Sequence, residues 1–237
     1  MLFEWNEQTF RWFYEASEYT GYNREMARLL LPRLAGCDTL CDMGCGMALV
    51  DFELAPYFQT ITCVDVSPEA VRNVKERSET LGVSNLQTIC SDGMAAQGSW
   101  DAVMALFHGD VETMGENYLQ KARKKLILVV HGSAYGSTGP EKYRVRKCCD
   151  VDHTRAWLER NQIPYDLELA ALEFGQPHRS LEDAVAYTRT FSKAAPETEL
   201  QDYVRSHVKE TGREDFPLYT PKQRSFGIFT IRKEDSV

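Results

Sequence analysis

The sequence has no apolar run approaching the roughly 20 residues that cross a bilayer, and its first ten residues, MLFEWNEQTF, lack a basic stretch leading into an apolar one. Neither a transmembrane helix nor a secretory leader is expected, and the expected location is the cytoplasm, with no membrane partner. A basic excess is missing as well. Against 35 Asp and Glu stand 27 Lys and Arg, for a net charge of -8. Proteins that grip a phosphate backbone carry a basic surface, so a nucleic-acid partner is not expected and a small-molecule partner is. There is no internal repeat and no low-complexity segment. Seven cysteines are an odd number, and Cys41, Cys63 and Cys90 fall inside strand candidates, which suits reduced, buried thiols better than a disulfide framework.

What is present is an ordinary globular composition. Of 237 residues, 43% are hydrophobic and 26% charged, enough to bury the core of one α/β domain with an appendage. The stretch from Phe3 to Leu34 reads as helical and is dense in aromatic residues, with Met26, Leu29, Leu30 and Leu34 on one side of its second half. Packing on a sheet and capping a ligand are both open to it. From Thr39 short apolar strands alternate with amphipathic helices. The strand candidates are Thr39–Asp42, Thr60–Val66, Leu86–Ser91, Ala102–Phe107 and Lys125–His131; the helices fall at Val50–Phe58, Pro68–Leu81, Val111–Ala122 and Thr154–Gln162. Such alternation implies a mainly parallel sheet. The second of these helices has the plainest punctuation: Ser67 as N-cap, Pro68 at N1 and Gly82 as stop. Tyr165–Phe174 reads as a further strand, Ser180 to about Glu210 as a polar helical stretch, and Arg224–Arg232 as a final strand that runs antiparallel.

The informative segment is Asp42-Met43-Gly44-Cys45-Gly46-Met47-Ala48, at the end of the first strand. Two glycines permit a tight turn and bring backbone N–H groups close to a ligand, at the edge of the sheet where open α/β folds bind. About 20 residues on, Asp65 ends the second strand, where a carboxylate can accept both hydroxyls of a ribose. A dinucleotide site commonly has a third glycine where this chain has Leu49, and an acid such as Asp42 is out of place beside a pyrophosphate. It is well placed beside a cationic amino group.

Asp42-Met43-Gly44-Cys45-Gly46 resembles the D/E-x-G-x-G motif of class I S-adenosylmethionine (SAM)-dependent methyltransferases. Asp65 matches the family's ribose-binding acid, Ser91-Asp92-Gly93-Met94 its adenine-bracketing segment, and Trp100 to His108 its fourth strand. The resemblance covers about residues 34 to 132; Ala48 departs from it, since many members have a third glycine there. It implies a Rossmann-like, mainly parallel seven-stranded sheet with an antiparallel last strand. Residues 1–36 would form a helical cap, and residues 37–237 the methyltransferase domain, with a helical insert at about 180–215. The implied cofactor is SAM, with S-adenosylhomocysteine as product, and the implied contacts are Asp42, Gly44, Cys45, Gly46, Asp65, Val66, Ser67, Asp92, Gly93, Met94 and Phe107. Tyr14 and Tyr22 join them as residues of the cap; Tyr19 is a further tyrosine there.

Transfer from a sulfonium needs alignment and exclusion of water, and a base only where the acceptor must lose a proton. His108, after the fourth strand, is the first candidate base; His131, ending the fifth, is second. No metal is expected, because Cys37, Cys41 and Cys45 have the wrong spacing for a radical-SAM cluster and Cys41 lies in a strand. The loop from Ala134 to Asp150 holds Lys142, Arg144, Arg146 and Lys147 and reads either as a solvated face or as a clamp for an anionic acceptor; Cys148-Cys149 at its end leaves a metalloid acceptor open. A SAM-binding sensor would have the same donor motif, and a nicotinamide oxidoreductase is disfavoured by Asp42 and Leu49. The sequence does not fix the acceptor atom or the oligomeric state.

Overall fold

The computed structural model describes residues 4–132, 138–143 and 150–233. Two helices open the chain, α1 (Glu7–Thr20) and α2 (Tyr22–Leu30). The alternating region follows as β1 (Thr39–Met43), α3 (Leu49–Leu54), β2 (Thr60–Asp65), α4 (Pro68–Leu81), β3 (Leu86–Cys90), β4 (Trp100–Leu106), α5 (Val111–Lys121), β5 (Ala122–His131), α6 (Val151–Arg160) and β6 (Asp166–Glu173). The last part holds β7 (Gln176–His178), α7 (Leu181–Phe191), α8 (Glu197–His207), β8 (Lys209–Glu210), β9 (Leu218–Thr220) and β10 (Gln223–Arg232).

Seven strands form one sheet in the order β3-β2-β1-β4-β5-β10-β6. β1 sits between β2 and β4 in parallel register, with Cys41 opposite Thr62 on one side and Val103 on the other. β10 enters between β5 and β6 and is antiparallel to both, pairing Phe226 with His131 and with Ala170. The expected antiparallel last strand is therefore present, wedged inside the sheet. Covered on both faces, β4 and the second half of β5, Leu126 to Val130, are apolar at nearly every position. One face, with Leu40, Ile61, Met104, Ile127 and Ile228, packs against Met26 and Leu30 of α2 and Leu54 of α3. The other, with Met43, Val103, Leu126 and Phe229, packs against Tyr118 of α5 and Trp157 of α6.

α4 has the bounds its punctuation predicts: the Ser67 hydroxyl accepts from the Ala70 N–H, and Gly82 is left-handed at φ 67°. Three expectations need correction. The helix expected over Val50–Phe58 ends at Leu54 and tightens into a 3-10 turn over Ala55–Tyr57, which contains Pro56. The stretch from Ser180 to Glu210 is two helices, broken before Pro196, with an apolar contact of their own through Ala184, Val185, Leu200 and Val204. Beside them β7, β9 and β8 form a small antiparallel sheet that periodicity did not reveal. α1 packs on β7, and the Asp183 carboxylate of α7 accepts from Trp12 Nε1 at 2.9 Å and Arg11 at 2.6 Å. Among the described residues no helix is long and apolar enough to cross a membrane.

Candidate functional site

A cavity of about 740 Å³ opens at the carboxyl ends of β1, β2 and β4, within the range of small-molecule sites. It is floored by the loop from β1 to α3. That loop turns over the end of β2: the N–H groups of Gly44 and Cys45 both donate to the Val64 carbonyl, at 2.8 and 3.0 Å. The turn needs left-handed backbone at Gly44 (φ 76°) and Gly46 (φ 54°). Ala48 is also left-handed, at φ 51°, so this chain keeps a glycine-type conformation with a residue that pays a steric cost for it. Both glycines are closely covered. A Cβ on Gly44 would meet the His108 ring, and one on Gly46 would meet Trp5.

Asp65 closes one side. Its two carboxylate oxygens accept from the backbone of Gly46 and Ser67, each at 2.9 Å. This fixes its orientation and leaves lone pairs for further donors, since an ionised carboxylate accepts about four hydrogen bonds. Val66, next to it, is an exposed apolar side chain at the cavity wall.

The cavity floor carries two buried acids. Asp42 is the penultimate residue of β1 and Asp51 lies on the buried side of α3, 3% and 0% exposed. Neither Asp51 oxygen nor Asp42 Oδ1 has a hydrogen-bond partner among the described residues. Burial pushes the Asp42 carboxyl well above the usual carboxylate range, and the charges of Asp51 and Asp65 push it further. Burial likewise raises Asp51, to about 6, with its interaction with the neighbouring Asp42 carboxyl opposing. Interacting buried carboxyls disfavour the doubly charged state.

His108 lines the same cavity, and its Nε2 lies 3.4 Å from the Tyr118 hydroxyl. Burial holds its imidazole below the ordinary value, with the charges of Asp65 and Asp92 opposing, so the ring is neutral at neutral pH. Phe107 beside it is left-handed at φ 53°, a strained conformation for a bulky residue. Tyr22 also lines the cavity.

Other expected site residues lie elsewhere. Tyr14 donates to Asn73 of α4 at 2.6 Å, outside the cavity lining. Tyr19 stacks on Tyr219 of the small sheet. Asp92, Gly93 and Met94 form the turn after β3, in which Asp92 Oδ1 accepts from the Met94 N–H; none of the three lines the cavity, although Asp92 is near enough for its charge to act on His108. His131 is buried against Phe107 and is likewise not on the cavity wall. Lys142 pairs with Glu199 at 2.8 Å; Arg144, Arg146, Lys147, Cys148 and Cys149 lie outside the described residues. Cys41 is buried within β1, its thiol against Met43, and no group of metal-ligating side chains occurs among the described residues.

Sequence reasoning missed Asp51, Arg224, Phe174, Phe13 and Trp5, all on the cavity wall. Asp51 had a signal: an acid on the otherwise apolar side of a short helix. Arg224 had none, because its place depends on β10 entering beside β5.

Residues 40–130 match a family model described as a methyltransferase domain. No curated protein matches the sequence. Among solved structures the fold is shared with the YcgJ protein of Bacillus subtilis (16% identity, TM-score 0.56, 89% of this chain and 100% of that one). It is also shared with geranyl diphosphate C-methyltransferase of Streptomyces coelicolor, in complex with Mg2+, geranyl diphosphate and S-adenosylhomocysteine (12%, 0.53, 88% and 78%). A third is magnesium protoporphyrin IX methyltransferase of Synechocystis with bound SAM (15%, 0.50, 89% and 79%). The segment from β1 to β5 thus matches a methyltransferase domain, on a seven-stranded sheet whose last strand is antiparallel and inserted, the fold it shares with these structures.

Proposed function

We propose that the chain methylates a small molecule held in the cavity beside SAM, by in-line displacement. The observation that carries this reading is the unpartnered Asp42–Asp51 pair on the floor of a cavity walled by Asp65 and the Gly44–Gly46 loop. Two buried acids suit a ligand with an amino cation and repel a pyrophosphate. SAM supplies an activated methyl group, which leaves sulfur as the acceptor's lone pair bonds to carbon, the electron pair of the broken bond staying on sulfur.

The chain's own residues then have defined tasks. Asp42 and Asp51 hold the amino group. Asp65 accepts from the ribose hydroxyls, and Val66 offers an apolar contact to the base. Gly44 and Gly46 keep the loop low, and Trp5 over Gly46, with α1 behind it, serves as the cap that excludes water. Asp92 to Met94 belong to the adenine end only if the turn reorganises towards the cavity. His108 is the candidate base: it is the one histidine lining the cavity among the described residues, and it is neutral, so it can take a proton. The room beyond β4, towards Phe174 and Arg224, is what favours an enzyme over a SAM sensor. Two neighbours in fold are named for small acceptors, geranyl diphosphate and magnesium protoporphyrin IX, and the acidic net charge points the same way. A further neighbour, from Pyrococcus horikoshii, is titled an RNA methyltransferase, so the acceptor class needs a direct test. Incubation with methyl-labelled SAM and a cell extract, followed by separation by mass, should place the label in the low-mass fraction. Label confined to RNA or protein would overturn the small-molecule reading.

A further inference from the structure

The cavity is divided by charge. Asp42, Asp51 and Asp65 line one part and Glu4 and Glu69 its rim, while Arg224 is the single Lys or Arg on its wall among the described residues. Arg224 comes from the start of β10, which β4 and β5 separate from β1 in the sheet. Its guanidinium carbon lies 3.5 Å from the Phe107 ring centroid, with the rings of Phe174 and Tyr22 at 5.6 and 5.8 Å. No described carboxylate lies within ion-pair distance of it, although acids outnumber bases in the chain. Beside it stands a second donor. Tyr22 is 4% exposed and lines the cavity; its hydroxyl oxygen faces the Arg224 guanidinium, and its O–H meets no acceptor among the described residues.

A guanidinium laid on aromatic faces keeps its in-plane N–H groups directed outward, in a fork that fits the two oxygens of a carboxylate or phosphate. A guanidinium can only donate, so the buried phenol O–H still needs an acceptor, and leaving it without one costs free energy until a ligand supplies it. Both groups donate, and both face the same aromatic corner, made by Phe107 and Phe174 with Phe13 behind. From this juxtaposition we infer that the methyl acceptor is an amphipathic anion: an oxyanion, carboxylate or phosphate, seated on Arg224 and Tyr22, with an apolar body against the aromatic wall. The inference rests on the reading of the cavity as a methyltransferase site. It makes Arg224 and Tyr22 the determinants of acceptor specificity, and leaves donor binding to the acidic half.

The test titrates the protein, with and without saturating S-adenosylhomocysteine, with 1-naphthoate, 1-naphthyl phosphate and the neutral 1-naphthamide. At least one anion should bind at least tenfold more tightly than the amide, and the one that does distinguishes a carboxylate from a phosphate acceptor. Arg224→Met should erase that preference, Arg224→Lys keep part of it, and Tyr22→Phe weaken the anion severalfold, with S-adenosylhomocysteine affinity within twofold of wild type in all three. Anions that bind no better than the amide would overturn the inference. So would a tenfold loss of S-adenosylhomocysteine affinity in Arg224→Met, which would assign the guanidinium to the donor's own carboxylate. Wild type that ignores S-adenosylhomocysteine yet prefers the anions would keep the oxyanion site and remove the methyltransferase reading beneath it.

Discussion

The His108 imidazole lies across Gly44 so closely that a Cβ there would fall 2.2 Å from His108 Cγ, and 2.3 Å from Nδ1. The glycine is thus required twice, by its left-handed φ of 76° and by the ring above it. Gly44→Ala should destabilise the fold by roughly 2–3 kcal/mol, about 1–2 from the backbone and the rest from displacing the ring. SAM affinity should fall at least tenfold. In Gly44→Ala/His108→Ala the steric part should return and the backbone part remain. Thermal unfolding of wild type and the two variants checks this; equal stability of wild type and Gly44→Ala would contradict the packing.

The buried Asp42–Asp51 pair sets a pH dependence. Both carboxyls titrate higher in the folded chain than in the unfolded one, Asp51 at about 6. A group raised on folding contributes stability below its unfolded value and loses it as pH rises through the folded one. The unliganded protein should therefore lose stability as pH rises from about 4 through 6, on the order of 2–3 kcal/mol from Asp51 alone, with Asp42 acting in the same direction. Asp51→Asn should be more stable than wild type at pH 7.5 and equal to it near pH 4. SAM, whose amino cation favours the ionised pair, should bind more tightly as pH rises through 6. Urea denaturation at the two pH values decides the matter: a variant less stable than wild type at pH 7.5 would show that the pair is not a strained, ligand-awaiting site.

Asp65 is held by the N–H groups of Gly46 and Ser67. In the site we propose, its removal would cost the ribose contact and loosen the loop. Asp65→Ala should weaken SAM binding by at least about 1–2 kcal/mol, and Asp65→Asn by less, because it keeps an acceptor. Unchanged affinity in a folded Asp65→Ala would remove the ribose assignment.

The N-terminal helix is tied to the insert through Asp183, which accepts from Trp12 and Arg11 and is largely buried. Burial raises its carboxyl, and the hydrogen bonds from Arg11 and Trp12 outweigh that and hold it below the ordinary value. Asp183→Ala leaves the Trp12 N–H without its acceptor and takes from Arg11 one of its two carboxylates, Glu15 remaining. A loss of about 2–3 kcal/mol is expected, along with faster proteolysis within residues 4–20. Limited proteolysis followed by mass spectrometry reads this; cleavage first elsewhere, with α1 intact, would argue against the tie.

Much of this was legible in the sequence, and the rest was not for identifiable reasons. α4 could be placed to the residue because Ser67, Pro68 and Gly82 act locally. The loop at Asp42 to Ala48 and the carboxylate of Asp65 could be found because one strand and one turn fix each. The small sheet escaped because β7, β8 and β9 have two or three residues each, one of them Pro177, too few for any periodicity. Tyr14 and Tyr22 are eight residues apart with nothing local to separate them. The Gly21 bend between α1 and α2 sends the first to Asn73 and the second into the cavity. Arg224 was invisible for a related reason. Only the insertion of β10 beside β5 brings its guanidinium over Phe107, more than a hundred residues away in sequence.

The donor site we propose is built for a cation and a ribose, with no place for a pyrophosphate. Calorimetric titration of the purified chain with SAM, S-adenosylhomocysteine, NAD and NADP at pH 7.5 tests it most directly. The account predicts micromolar binding of the first two and no heat from the dinucleotides. Binding of a dinucleotide alone would contradict it and return Asp42 and Asp65 to a different chemistry.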